Sequence, residues 1–167
     1  MVIIVNGSLG VGKTATSWAL AKKFEKSAML DGDYIGAIFP RDYSDNNWTE
    51  YLHETLAYLI SFHQENDIKN FVINYVFETP ESLLGLVNRL TDLDNNIKAF
   101  YLNCNEKEQK ERIIKRNNSQ MTWELKRFLE LNKILQASAL KGDIGFSVDS
   151  SKKTVIEVAE EIWRRCI

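Results

Sequence analysis

The chain has 167 residues, of which 44% are hydrophobic and 26% are charged. This length and mixture are typical of a globular protein, and we expect one domain spanning residues 1–167. The formal net charge of −2 provides no general positive field, which argues against electrostatic binding of nucleic acid or an anionic membrane surface.

The cysteines and the apolar runs give expectations about the cellular setting. The two cysteines, Cys104 and Cys166, are far apart and lack metal-ligand spacing, so we expect reduced thiols. No apolar run approaches the roughly 20 residues that are needed to span a bilayer. We therefore expect a cytoplasmic monomer or homodimer with no nucleic-acid or membrane partner.

The first predicted strand, residues 2–5, leads into the sequence NGSLGVGKT and a predicted helix over residues 13–26. Four residues match the P-loop pattern G-x-x-x-x-G-K-[ST], namely Gly7, Gly12, Lys13 and Thr14. Glycines allow backbone angles that turn N–H groups toward an anion, and the start of the helix adds its positive dipole. We expect Lys13 to reach the β- and γ-phosphates of a nucleoside triphosphate and Thr14 to ligate Mg²⁺.

A chance match in a glycine-containing turn is the alternative interpretation of this motif. Its position between a predicted buried strand and a predicted helix favours a nucleotide-binding site instead. The loop is then expected to contact the nucleotide through Gly7, Ser8, Gly10, Val11, Gly12, Lys13, Thr14 and Ala15.

The second predicted strand, residues 27–30, is followed directly by the sequence DGD. In a doubly wound sheet, the carboxyl ends of the strands face the ligand crevice, so both carboxylates can point toward the phosphates. We expect Asp31 to orient Mg²⁺ and Asp33 to take a proton from an acceptor hydroxyl. An ordinary Asp-Gly-Asp turn is the alternative.

Residues 34–64 are rich in aromatic side chains and include a predicted helix over residues 48–64. The aromatic residues can line an apolar pocket for a ring-containing molecule, although packing is the commoner use of such residues at helical spacing. Arg41 is the only arginine or lysine in this segment. A neutral ligand is therefore favoured there over a strongly anionic one.

The third predicted strand, residues 71–77, precedes a helix over residues 80–90. Many P-loop proteins end this strand with an aspartate that orients Mg²⁺. Here the matching residue is the neutral Asn74, and Glu78 follows four residues later. The metal role is therefore assigned to Thr14 together with the aspartates after the second strand.

A fourth predicted strand, residues 99–103, precedes helices over residues 106–116 and 121–139. Arg112 and Arg116 lie one turn apart on the first helix. Taken alone, this sequence is typical of a solvated charged helix with i,i+4 pairs such as Glu108 with Arg112.

A fifth strand at residues 145–148 and a helix at residues 152–165 complete the alternation. Most predicted strands are continuous apolar runs, which is typical of strands covered on both faces. The sequence therefore predicts an α/β fold with a doubly wound parallel sheet of about five strands and helices on both faces. The region after the fourth strand lacks the N-K-x-D sequence with which GTPases bind guanine.

These pieces together resemble the small P-loop kinases, a group that includes gluconate, shikimate and adenylyl-sulfate kinases, chloramphenicol phosphotransferase and the nucleoside monophosphate kinases. The resemblance implies a P-loop NTPase fold with strand order 2-3-1-4-5. It also implies an acceptor-binding region near residues 34–64 and a mobile lid near residues 116–128.

The resemblance also implies roles for individual residues. Arg112 corresponds to an arginine that stacks on adenine, and residues 149–151 correspond to the base-binding loop. Arg116 corresponds to a lid arginine that stabilises charge on the transferring phosphoryl group, with Arg127 as a weaker lid candidate.

Two functions are compatible with the sequence. The first is an ATP- and Mg²⁺-dependent phosphotransferase that acts on a hydroxyl of a small molecule, with Lys13, Asp33 and Arg116 as its catalytic residues. The second is an ATP-binding regulator with little or no transfer, which the neutral Asn74 favours. Slow ATP hydrolysis without an acceptor is a third possibility.

Overall fold

The structure is a computed structural model that describes residues 1–35 and 47–167. Its strands are β1 (Val2–Gly7), β2 (Ala28–Asp31), β3 (Phe71–Asn74), β4 (Ile97–Asn103) and β5 (Phe146–Asp149). Its helices are α1 (Lys13–Ala21), α2 (Asn47–Glu65), α3 (Pro80–Leu90), α4 (Glu106–Arg116), α5 (Met121–Lys141) and α6 (Val155–Cys166). Within the described residues, no helix has the length and apolar character that are needed to cross a membrane.

The five strands form one parallel sheet in the order β2-β3-β1-β4-β5. This confirms the predicted strand order and the P-loop NTPase fold. The central strand β1 is buried along its whole length, which explains why its sequence is a continuous apolar run.

Successive residues of β1 point to opposite faces of the sheet and enter two separate cores. Ile3 and Val5 belong to the core that includes buried residues of α1 and α6. Val2 and Ile4 belong to the core that includes buried residues of α2 and α3. Each of these aliphatic side chains is fully buried and contributes about 1.5–3 kcal/mol of hydrophobic stabilisation. The sheet is therefore covered by helices on both faces, as predicted.

The strand register brings the functional segments to one edge of the sheet. Asp31 at the end of β2 lies beside Asn74 at the end of β3. Gly7 at the end of β1 lies beside Leu102 in β4, and the last residues of β4 and β5 are also paired. The P-loop, the DGD turn and the segment after β5 therefore leave the sheet at the same edge.

Three predicted boundaries differ from the structure by three residues or more, each for a local reason. Helix α1 ends at Ala21 instead of residue 26, because Ser27 Oγ donates to the Ala21 carbonyl and the chain turns through shorter backbone bonds. Strand β3 ends at Asn74 because the Asn6 side chain binds the backbone of Phe77. The predicted helix over residues 152–165 begins at residue 155, because a capping box defines its first turn.

The predicted acceptor region, residues 34–64, is described at residues 34–35 and 47–64. In α2, Leu52, Leu56 and Ile60 lie at four-residue spacing and are buried against the sheet. Arg41 lies outside the described residues.

Candidate active site

The P-loop connects the end of β1 to the start of α1 and has the backbone of an anion cradle. Gly12 precedes the helix with a φ of 98°, a left-handed conformation that favours glycine. A Cβ on Gly12 would meet no heavy atom closer than Thr16 Oγ1 at 4.0 Å, so the space in front of the helix is open. The first N–H groups of α1 therefore remain accessible to a bound anion.

Lys13 is buried, with 8% of its surface exposed, and its Nζ donates to the Ser8 carbonyl at 3.0 Å. Burial lowers its pKa to about 8, because the charged ammonium loses solvation. Among the described residues, no carboxylate lies within ion-pairing distance of Nζ. A buried ammonium in this setting is suited to an anionic ligand.

Several charged groups surround Lys13 and act on its pKa. Asp33 has the largest effect among them and raises the pKa, Arg116 lowers it, and Asp31 and Glu124 raise it. The sequence assigned three of these residues to the site, and the charges of Asp31, Asp33 and Arg116 all act on this lysine.

Asp31 is held between the P-loop and β3. Its Oδ2 lies 3.4 Å from the Thr14 hydroxyl oxygen and accepts a hydrogen bond from Asn74 Nδ2 at 3.0 Å. Its Oδ1 accepts the backbone N–H of Asp33 at 3.0 Å. The DGD segment is therefore a hydrogen-bonded turn, as one alternative predicted, and it also directs one carboxylate oxygen toward Thr14. The metal role of Asp31 and the base role of Asp33 remain predictions.

These oxygens fit a Mg²⁺ ion. Mg²⁺ prefers oxygen ligands and is usually bound by one or two carboxylates together with substrate phosphates. Thr14 and Asp31 provide a hydroxyl and a carboxylate beside the phosphate cradle. The described residues contain no cluster of three acidic, histidine or cysteine side chains. Asn74 orients Asp31 from the position where an aspartate was expected.

Asp33 is exposed, and the turn that carries it packs against an aromatic ring. A Cβ on Gly32 would lie 2.5 Å from the Tyr75 ring. The close approach of this ring explains why glycine separates the two aspartates.

Arg112 connects the P-loop to the segment after β5. Its guanidinium donates to the Ser150 carbonyl at 2.9 Å and to the Val11 carbonyl at 3.4 Å, and it pairs with Glu108 at 3.2 Å. The side chain is 31% exposed, and the planar guanidinium is a group that can stack on a base. Arg112 is therefore a fixed part of the site, and its pair with Glu108, on which the solvated-helix alternative rested, is also present.

Arg116 ends α4 and lies 3.7 Å from Glu124 of α5. Its side chain is 46% exposed, whereas that of Glu124 is 9% exposed. Arg127 is separated from this pair, since it binds Glu78 and Glu130. Glu78 is therefore engaged by an arginine and does not replace the missing aspartate of β3.

The sequence did not identify the residues that pack helices α4 and α5 onto the P-loop. Gln109 of α4 is fully buried, donates to the Leu9 carbonyl at 2.8 Å and exchanges two hydrogen bonds with Asn132 of α5. Ser8 Oγ donates to the Phe128 carbonyl at 3.3 Å. Glu124 was missed as well. The polar partners lie on different elements, so no spacing within one helix reveals them.

No protein-family model and no curated protein sequence matches the chain. Solved structures do match it. A tunicamycin resistance protein from Deinococcus radiodurans has a TM-score of 0.67 and 18% identity, over 98% of this chain and 94% of that one. A sugar kinase from Janibacter sp. HTCC2649 has a TM-score of 0.65 and 13% identity, over 98% and 92%.

A gluconokinase from Sinorhizobium meliloti 1021 is similar too, with a TM-score of 0.61 and 16% identity, over 98% of this chain and 90% of that one. These similarities extend over nearly the full length of each chain. The chain therefore has the fold of the small P-loop kinases.

Proposed function

We propose that the chain is an ATP-dependent phosphotransferase that moves the γ-phosphoryl group to a hydroxyl of a small molecule. The observation that carries this proposal is that the Asp31 carboxylate lies 3.4 Å from the Thr14 hydroxyl, next to the buried Lys13, whose pKa also responds to the charges of Asp33 and Arg116. Carboxylates near the phosphates, together with cations that neutralise the transferring group, are the arrangement that phosphoryl transfer uses.

The nucleotide is assigned to the cradle and to the surface beside Arg112. The open N-terminus of α1 and the Lys13 ammonium receive the phosphates. The flat face of Arg112 is next to the loop at residues 149–151, where the adenine would stack. The fixed position of the guanidinium reduces the entropy lost on binding, which supports this assignment.

Mg²⁺ would be held by Thr14 and Asp31 beside the phosphates. When bound, it supplies positive charge that neutralises the β- and γ-phosphate oxygens. Asn74 keeps Asp31 directed toward Thr14. The residues around the cradle therefore supply the ligands that a magnesium–nucleotide complex requires.

Asp33 has the role of the base. It accepts the proton of the acceptor hydroxyl while the hydroxyl oxygen forms a bond to the γ-phosphorus, and the bond from that phosphorus to the leaving oxygen of ADP breaks. Lys13 and Arg116 stabilise the charge on the transferring group, because cations in a partly dehydrated site interact strongly with developing charge.

The acceptor is proposed to be a small neutral hydroxyl compound, such as a nucleoside, a sugar derivative or an antibiotic-like molecule. Arg127 directly precedes Phe128, whose carbonyl accepts a hydrogen bond from Ser8 of the P-loop, but its charge is balanced by Glu78 and Glu130. It is therefore not a free cation for an acidic acceptor. The gluconokinase and the sugar kinase among the similar structures support a hydroxyl acceptor. A sugar acid also carries hydroxyl groups, but its negative charge makes it the less favoured acceptor.

An ATP-binding regulator is the second candidate function, and Asn74 is the observation that favours it. A neutral side chain replaces the aspartate that many P-loop proteins use to orient the metal. In such a regulator, nucleotide occupancy would change the protein without phosphoryl transfer.

A screen of hydroxyl compounds with ATP labelled at the γ-phosphate separates these functions. We expect label on at least one acceptor with the wild-type chain and none with Lys13→Met. Binding of ATP without any labelled acceptor would support the regulator and contradict the phosphotransferase. Release of labelled phosphate at a rate that no acceptor changes would indicate an ATPase.

A further inference from the structure

Glu124 is a buried carboxylate in the first turn of α5, beside the candidate lid arginine. Its Oε1 accepts a hydrogen bond from Asn118 Nδ2 at 3.3 Å and lies 3.7 Å from an amino group of Arg116. Its Oε2 is buried and has no hydrogen-bond partner among the described residues. Burial of a charged oxygen without a partner lowers stability, so a structural role alone does not account for Glu124.

The surroundings of Glu124 connect it to the phosphate cradle. Its charge acts on Lys13, as do the charges of Asp33, Asp31 and Arg116. Glu124 is thus a negative group that lies beside Arg116 and whose charge also acts on Lys13, and these are the two cations that are assigned to the phosphates. A bound triphosphate places its own negative charge near these same cations.

We propose that Glu124 is a positioning residue that holds Arg116 in the nucleotide-free protein and competes with the terminal phosphate of a bound triphosphate for this arginine. The inference rests on the proposed function, since it requires a triphosphate in the cradle. Arg116 then changes partner, from the buried carboxylate to phosphate, when the nucleotide binds.

The competition affects triphosphates more than diphosphates. A γ-phosphate is the group that reaches Arg116, whereas ADP leaves Arg116 paired with Glu124. Removal of the Glu124 charge therefore releases Arg116 from its ion pair. It also removes the repulsion between the Glu124 carboxylate and the γ-phosphate. Both changes favour ATP over ADP.

The test measures dissociation constants of the β,γ-imido analogue of ATP and of ADP, both with Mg²⁺, by calorimetry. Glu124→Gln keeps the shape of the side chain and its contact with Asn118. We expect the ratio of the ADP constant to the ATP-analogue constant to increase by about three- to tenfold, as expected for one charge pair near the surface. If Glu124 has only a structural role, the substitution should weaken the binding of both nucleotides equally and leave the ratio unchanged.

Two further variants test the route through Arg116. In an Arg116→Gln background, the effect of Glu124→Gln on the ratio should become smaller, because the shared partner is absent. Glu130→Gln removes an equal charge from a position of the same helix that is 64% exposed, and it should leave the ratio unchanged. An equal effect of Glu124→Gln with and without Arg116 would overturn the proposal.

The outcomes also separate this inference from the proposed function. An unchanged or reduced ratio in Glu124→Gln, with normal nucleotide binding by the wild-type chain, overturns the role of Glu124 alone. Failure of the wild-type chain to bind either nucleotide overturns both. If Glu124→Gln does not unfold cooperatively, Glu124→Ala is measured in its place with the same expected increase.

Discussion

Replacement of Lys13 by methionine tests whether the cradle is built for an anion at the expense of stability. The substitution keeps most of the apolar stem and removes the buried ammonium. In the absence of nucleotide, we expect Lys13→Met to be more stable than the wild-type chain, although it can no longer bind ATP. If Lys13 lowers the stability of the nucleotide-free protein, its presence is explained by a role in binding and not by a role in folding.

The magnitude follows from the pKa of Lys13, which burial lowers from 10.5 to about 8. A tenfold change in proton affinity corresponds to about 1.4 kcal/mol, so the charged lysine lowers the free energy of unfolding by about 3 kcal/mol. The hydrogen bond to the Ser8 carbonyl offsets about 1 kcal/mol of this. We therefore expect Lys13→Met to gain about 2 kcal/mol at pH 7.

The sign of the pH dependence is fixed by the same shift. Between pH 8 and 10.5 the unfolded chain binds more protons at this lysine than the folded chain, so wild-type stability rises with pH in this window. Below pH 8 the loss of stability that is caused by the buried charge of Lys13 is present in full. The advantage of Lys13→Met should therefore become smaller as the pH rises from 8 toward 10.5.

Urea unfolding of both chains at pH 7 and pH 10 measures these differences, and comparison of the two chains cancels the titration of other groups. Lys126→Met, at an exposed position of α5, is the control and should change stability by less than about 0.5 kcal/mol. A wild-type chain as stable as Lys13→Met at pH 7, or a difference that does not depend on pH, would refute the reasoning.

Three other substitutions test separate parts of the site. Arg112→Ala should weaken ATP binding about tenfold in calorimetry, because the stacking face and the connection between the two loops are both lost. Asp31→Asn should raise the Mg²⁺ concentration needed for half-maximal turnover by about tenfold, since one charged ligand is lost; an unchanged requirement would remove Asp31 from the metal site. Gly32→Ala should lower the free energy of unfolding by about 1–3 kcal/mol in urea, because the added methyl overlaps the Tyr75 ring.

The sequence was sufficient to predict the strand order of the sheet and the positions of the candidate site residues that belong to a motif. The P-loop pattern identified Lys13 and Thr14, and the DGD sequence placed two carboxylates at the same edge of the sheet. These predictions succeed because the carboxyl ends of parallel strands meet at one edge, so the strand order determines which segments are neighbours.

The missed residues depend on contacts between distant elements. Gln109 and Asn132 form a buried pair across α4 and α5, yet each looks like a solvated polar residue within its own helix. Glu124 belongs to no sequence motif. Only its position beside Arg116 and the effect of its charge on Lys13 indicate a functional role. The start of α6 was different, because Thr154 and Glu157 have the spacing of a capping box and the sequence alone contained that signal.

The turnover of Asp33→Asn with the acceptor that the screen identifies tests the proposed phosphoryl transfer most directly. We expect turnover to fall by about 100-fold or more, because the base is lost, while ATP binding is not weakened. Asp92→Asn, an exposed substitution in the segment between α3 and β4, should retain full turnover. Full turnover in Asp33→Asn would contradict the assignment of Asp33 as the base.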